Sequence, residues 1–151
     1  MINAIRFQIP NESGKYLFDI LKDIDVVNYK WYVKDDEVYY DDNYEDLFDN
    51  TKITGKEILN KISTKNYYII NIQLIGYKEN NDCEQIQIYD DFKNSKSEIM
   101  LCIYDSVYSE IYLKDRFLLE KIYNSLDEKN FNPIYITEKN IRNKISVFWD
   151  I

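Results

Sequence analysis

Residues 67–75 read YYIINIQLI, the most nearly continuous apolar run in the chain. A run of that length without Gly or Pro reads as a central strand buried on both faces. Downstream, 98–104 (EIMLCIY) reads as another strand, and Asp105-Ser106 as a turn. Beyond the turn, Tyr108, Glu110 and Tyr112 alternate with Val107, Ile111 and Leu113, and the pair predicts a hairpin. Leu118, Leu119, Ile122 and Leu126 then share one side of a helix over 115–126. Segments 133–137 and 145–149 read as closing strands, with Thr137 as the cap of a short helix between them.

Upstream, the partial alternation over 2–9 predicts a strand ended by Pro10. Leu17, Ile20, Leu21 and Ile24 predict a helix over 13–24, capped by Asn11 or Ser13. Residues 28–34 and 37–40 read as two strands joined at Asp35-Asp36, although no Gly supports a tight turn there. Segment 42–48 reads as loop with a short helical turn. Thr54-Gly55-Lys56-Glu57 fits a capping box for a helix whose apolar face carries Ile58, Leu59 and Ile62. Residues 85–88 alternate, and 89–92 reads as one helical turn. Hairpins dominate and helices do not follow every strand. The expected class is α+β, a mostly antiparallel sheet with two to three helices packed on one face, in a single domain over 1–151.

The opening I-R-F-Q-I-P-N-x-x-G-K-Y-L-x-D-I-L (5–21) and the later Y-D-S-V-Y-x-x-I-Y-x-K-D (104–115) together resemble a family of small uncharacterised bacterial proteins, a domain of unknown function. The resemblance is spread over most of the chain. It implies a small soluble bacterial protein and transfers no site residues.

The chain has 151 residues and a net charge of −8. Eight of its 27 acids fall in one window, 35–50 (DDEVYYDDNYEDLFDN), which holds no Lys or Arg. The 19 acids outside it equal the 19 bases, so the charge excess sits in one place. An acidic balance argues against direct binding of nucleic acid and against docking on an anionic membrane. No run reaches the length of a membrane span, and no basic segment precedes a long apolar core at the start. Cys83 and Cys102 then read as reduced thiols in a cytoplasmic protein.

Histidine is absent. That removes Ser-His-Asp and Cys-His catalysis and the usual zinc and non-haem iron ligand sets. Ser13-Gly14-Lys15 and Thr54-Gly55-Lys56 suggest a phosphate loop. The first has Ile9 and Tyr16, and the second Asn50 and Glu57, where Gly and Ser/Thr are required. Helix capping accounts for both. The segment 41–46 is rich in oxygen ligands but lacks the Gly and spacing of a calcium loop. Carboxylates in so polar a stretch stay ionised, which is poor ground for a catalytic acid. No metal or cofactor is expected. Asp105 and Asp115 read as turn and helix-cap residues.

The acidic window remains. Tyr39, Tyr40 and Tyr44 stand among Asp35, Asp36, Glu37, Asp41, Asp42, Glu45, Asp46 and Asp49. A charge run is ordinarily a solvated face that keeps a protein soluble. Tyrosine, however, gives a large rigid contact area with a hydroxyl, and clustered carboxylates attract a basic surface. The expectation is a non-enzymatic binding protein for a basic protein partner, of the inhibitor or immunity type, acting by charge mimicry. The alternatives are a small-molecule site lined by Trp31, Tyr68 or Tyr112, and a carboxylate-dependent hydrolase.

Overall fold

In a computed structural model, residues 2–141 are described. Seven strands form one sheet in the order β3-β2-β4-β5-β6-β1-β7. In chain order they are β1 Ala4–Gln8, β2 Lys30–Tyr40, β3 Lys52–Thr54, β4 Tyr67–Tyr77, β5 Ile99–Tyr104, β6 Tyr108–Leu113 and β7 Ile134–Tyr135. Every pairing is antiparallel. The helices are α1 Tyr16–Leu21, α2 Gly55–Thr64, α3 Tyr89–Asn94 and α4 Arg116–Glu128, and a 3-10 turn spans Val26–Asn28. The α+β class expected from the sequence is what forms.

Strand alternation sorts the core into two layers. Leu17, Ile20 and Leu21 of α1, Ile58 and Ile62 of α2, and Leu119, Ile122 and Leu126 of α4 pack with Trp31, Val33, Leu74, Leu101 and Ile111 of the sheet. Three helices therefore cover one face. The opposite face buries Ala4, Ile75, Tyr77, Met100 and Tyr112 beneath Phe92 of α3 and Ile86. β4 pairs with β2 on one edge and β5 on the other, and its residues from Ile72 to Tyr77 are buried on both sides. That is the central strand read from the apolar run. The predicted hairpin turns through left-handed backbone at Asp105 (φ 52°) and Ser106 (φ 64°). Asp115 caps α4, its carboxylate accepting from the Leu118 amide at 3.1 Å. Thr54 caps α2, its hydroxyl accepting from the Glu57 amide at 3.2 Å.

Several expectations are corrected. Segments 28–34 and 37–40 are not two strands joined by a turn: Lys30–Tyr40 runs as one strand, β2, carrying irregular register between Lys34 and Val38. With no glycine to close a tight turn, the extra residue is absorbed as a bulge at Asp35, whose φ is 52°. The long strand β4 pairs with β2 on both sides of that bulge. α1 begins at Tyr16 and has no side-chain cap. The Ser13 hydroxyl is instead donated to Asp41 (2.7 Å), and the Asn11 carboxamide accepts from the Tyr68 hydroxyl. Capping therefore does not account for Ser13-Gly14-Lys15; Gly14 exchanges backbone hydrogen bonds with Tyr67. The buried Tyr67 hydroxyl serves the start of α1, accepting from Leu17 (3.1 Å) and Phe18 (3.3 Å) and donating to the Ile62 carbonyl (2.8 Å). β3 has no counterpart among the expected strands, and the alternating stretch 85–88 forms no strand. At Thr137 the chain turns, its amide held by the Asn140 side chain at 2.6 Å and its carbonyl accepting from the Ile141 amide at 3.0 Å; the remainder of the short helix expected there lies outside the described residues. The strand expected over 145–149 lies outside the described residues.

Cys83 and Cys102 are not joined in a disulfide, and Cys102 is buried. Burial pushes the Cys83 thiol up, against a lowering influence from Lys34. No described helix is long and apolar enough to cross a membrane.

Candidate functional site: a tyrosine groove in an acidic face

The acidic window begins at the bulge of β2 and runs through the loop that follows. Asp35, Asp36, Glu37, Asp41, Asp42, Glu45, Asp46 and Asp49 are all exposed. After β2 the chain makes one helical-type turn, the Tyr44 amide donating to the Tyr40 carbonyl at 3.0 Å. It then folds back on the end of β2. The Tyr40 amide donates to Glu45 (2.8 Å) and the Leu47 amide to Val38 (2.9 Å). Leu47 and Phe48 sink into the core and pin the loop from its far end. The Asn43 side chain accepts from the Glu45 amide at 2.9 Å. Tyr44 adopts left-handed backbone, φ 60°, and is 79% exposed.

This folding leaves a groove of about 410 Å³ lined by Ser13, Tyr39, Tyr40, Asp41, Tyr44 and Tyr68. Tyr39 on β2 lies directly opposite Tyr68 on β4, so both side chains leave the sheet on the same face. The Tyr68 hydroxyl is fixed between Asn11 and Ser106, 2.9 Å from the latter's hydroxyl. Ser13 holds the Asp41 carboxylate at the groove's rim. Three segments far apart in sequence thus meet: the loop before α1, the end of β2 with its following loop, and the start of β4. A second, more polar hollow lined by Lys15, Asp41, Asp42, Thr64, Lys65 and Asn66 adjoins it through Asp41.

The acidity is partly answered from α2 and its end. Lys65 pairs with Asp42 at 3.2 Å and stands 5.8 Å from the centre of the Tyr40 ring. Lys61 lies 3.7 Å from Asp49. Glu37 accepts from the Asn71 carboxamide at 3.2 Å. Partial desolvation raises the Asp36 carboxyl pKa above its usual value, and the charges of Asp46 and Asp35 push the same way against a backbone hydrogen bond.

Of the expected site residues, Tyr39, Tyr40, Asp41 and Tyr44 line the groove. Asp35, Asp36 and Glu37 sit at the bulge; Asp42, Glu45, Asp46 and Asp49 follow along the loop. Ser13 and Tyr68 belong to the groove as well, and the window alone did not point to them as its members. Of Trp31, Tyr68 and Tyr112, the candidates for lining a small-molecule site, Tyr68 lines the groove and the other two do not. Trp31 is fully buried on the helix-covered face, donating to the Val26 carbonyl at 3.1 Å. Tyr112 is buried on the other face, donating to Glu110 at 2.9 Å. Among the described residues no group of three or more Cys, Asp or Glu is placed to hold a metal ion.

The family described as "protein of unknown function (DUF2691)" matches residues 2–146. The uncharacterized protein YncE of Bacillus subtilis (strain 168) is 31% identical over 147 residues, covering 93% of this chain and 95% of that protein. No solved structure matches the chain. A match over nearly the whole length, joined to a relative of nearly the same size, places the chain in the DUF2691 family of proteins of unknown function.

Proposed function

We propose that the face built by the end of β2 and its following loop binds a basic protein and covers part of that protein's surface. The reading is one of association without chemistry, in the manner of an inhibitor or immunity-type protein. The observation that carries it is the tyrosine groove with Asp41 in its lining, built from a strand end and loop whose other carboxylates are all exposed. Aromatic anchors at the centre of a charged rim are the usual layout of a binding surface. The carboxylates attract the partner over a distance, and the tyrosines supply the close contact.

Capture from native lysate tests it. The intact protein is compared with a variant carrying Asn for Asp35, Asp36, Asp41, Asp42, Asp46 and Asp49 and Gln for Glu37 and Glu45. A basic protein held by the first and lost by the second, with retention falling as salt rises, is the expected outcome. Equal capture by both sinks the reading. The volume of the groove also suits a small ligand. That second reading predicts thermal stabilisation by a metabolite, unaffected by salt.

A further inference from the structure

We propose that the groove is a socket for one arginine side chain of the basic partner, its guanidinium lying against tyrosine rings and forked onto Asp41. The inference rests on the proposed function and narrows it from a face to one contact.

The lining sets the chemistry of the occupant. Most of it is tyrosine, and a ring presents a negative π face that attracts a cation. Asp41 is the charged group in the lining. Ser13 orients that carboxylate through Oδ1, and among the described residues Oδ2 takes no hydrogen bond. A neutral side chain would satisfy the rings but leave the carboxylate desolvated and unanswered. Both kinds of group therefore favour a cation.

Arginine fits better than lysine for geometric reasons. Its flat guanidinium stacks on an aromatic ring while its fork of N–H donors reaches a carboxylate, whereas ammonium is compact and strongly hydrated. The protein already meets lysine differently nearby. Lys65 pairs with Asp42 and stands 5.8 Å from the Tyr40 ring centre, at the rim rather than in the groove. Tyr44, 79% exposed on a loop anchored by Leu47 and Phe48, has a free ring to close over an inserted side chain.

The test is an NMR titration of the intact ¹⁵N-labelled protein with three blocked tripeptides, Gly-X-Gly, in which X is arginine, lysine or citrulline. Citrulline keeps the shape of arginine and lacks its charge. The arginine peptide is expected to give saturable shifts at the amides of Ser13, Asp41 and Tyr44, with lysine weaker and citrulline without effect. Asp41→Asn should weaken arginine binding roughly tenfold. Tyr44→Ala should weaken it about two- to fivefold. Both side chains are exposed, so neither change touches the core, and far-UV circular dichroism checks that the fold is kept. Citrulline binding as well as arginine, or an arginine peptide that gives no shifts at these amides, overturns the socket. The lysate capture separates the two levels. If the eight-amide variant loses the partner while Asp41→Asn and Tyr44→Ala both hold it undiminished, the socket is wrong and the acidic face stands. If none of the three variants changes capture, both fall.

Discussion

Gly55→Ala is the substitution that most directly interrogates the packing of α2. Gly55 opens that helix against the 3-10 turn. A Cβ built on it would lie 2.3 Å from the Val26 carbonyl oxygen and 2.5 Å from that of Val27, where ordinary contact begins near 3.4 Å. Both obstacles are backbone, so no side-chain rotation relieves them. The helix or the turn must retreat by about 1 Å. The Val26 carbonyl also accepts the buried Trp31 indole N–H at 3.1 Å, and a retreat of the turn pulls that bond apart. Overpacking costs about 1–3 kcal/mol. A weakened buried hydrogen bond adds about 1 kcal/mol. Alanine returns up to about 1 kcal/mol through helix propensity, less at the first position than inside a helix. The net expectation is a loss of about 2 kcal/mol, or a fall of about 4–8 °C in Tm for a chain of this size. Gly14→Ala is the control. Its added Cβ would meet the far end of the Tyr16 ring at 2.7 Å, and a half-buried ring can move aside. Its cost should stay within about 1 kcal/mol. Urea unfolding followed by circular dichroism reads both. Gly55→Ala matching or exceeding the parent in stability would refute the close approach of α2 to the turn.

Tyr67→Phe should cost about 2–3 kcal/mol in the same assay, because it strips a buried acceptor from the Leu17 and Phe18 amides and a donor from the Ile62 carbonyl; a change under half a kilocalorie would contradict that capping role. Arg6→Met should cost about 3 kcal/mol, since it takes an ion partner at 2.8 Å from the buried Glu110 carboxylate; an unchanged urea midpoint would contradict it. Stability should also fall at alkaline pH. Burial raises the phenols of Tyr16 and Tyr77 to about 12, and Tyr67 further. Groups raised in the folded state favour folding fully below the unfolded value near 10 and lose that contribution as pH climbs toward the folded values. Urea midpoints measured from pH 8 to pH 11 should therefore hold at first and then drop, and a flat profile would contradict the burial of these hydroxyls.

The sequence made the centre of the fold legible and left its joints obscure. β4, the β5–β6 hairpin, α4 and the Thr54 cap all follow from strong local signals: a nearly continuous apolar run, alternation about Asp-Ser, and helical spacing after a capping residue. The misread places are those where distant groups compete for a local one. Asn11 and Ser13 have capping chemistry, but Tyr68 and Asp41 take their side chains, and a tyrosine fifty residues away serves the helix instead. Asp35-Asp36 has turn composition, yet a long partner strand pulls it straight. The same competition hides part of the groove. Tyr39, Tyr40 and Tyr44 stand out through the charge around them. Tyr68 sits in the run that reads as core, and only the register opposite Tyr39 brings it to the rim. Lys61 and Lys65 carry no local sign that they will face the acidic loop, because helix spacing and tertiary placement decide it together.

Those two lysines bear on how the face would work. The Lys65–Asp42 and Lys61–Asp49 pairs involve exposed carboxylates, and exposed pairs contribute about 0–1 kcal/mol. They are too weak to bar an incoming arginine, yet they lower the charge that steers it. At physiological salt the field of an exposed carboxylate is screened over about 8 Å. The acids at the bulge therefore act on the encounter, while the groove acts on the bound state. The proposed binding then divides by rate constant. Changing Asp35, Asp36 and Glu37 to amides should slow association and flatten its salt dependence, with dissociation nearly unaltered. Truncating Tyr39 or Tyr44 should speed dissociation and leave association close to the parent value. Surface-resonance traces on the captured partner read both constants at once. The opposite division, with tyrosines controlling the on-rate and distant acids the off-rate, would mean that the carboxylates make the close contacts and that the groove is not where the partner is held.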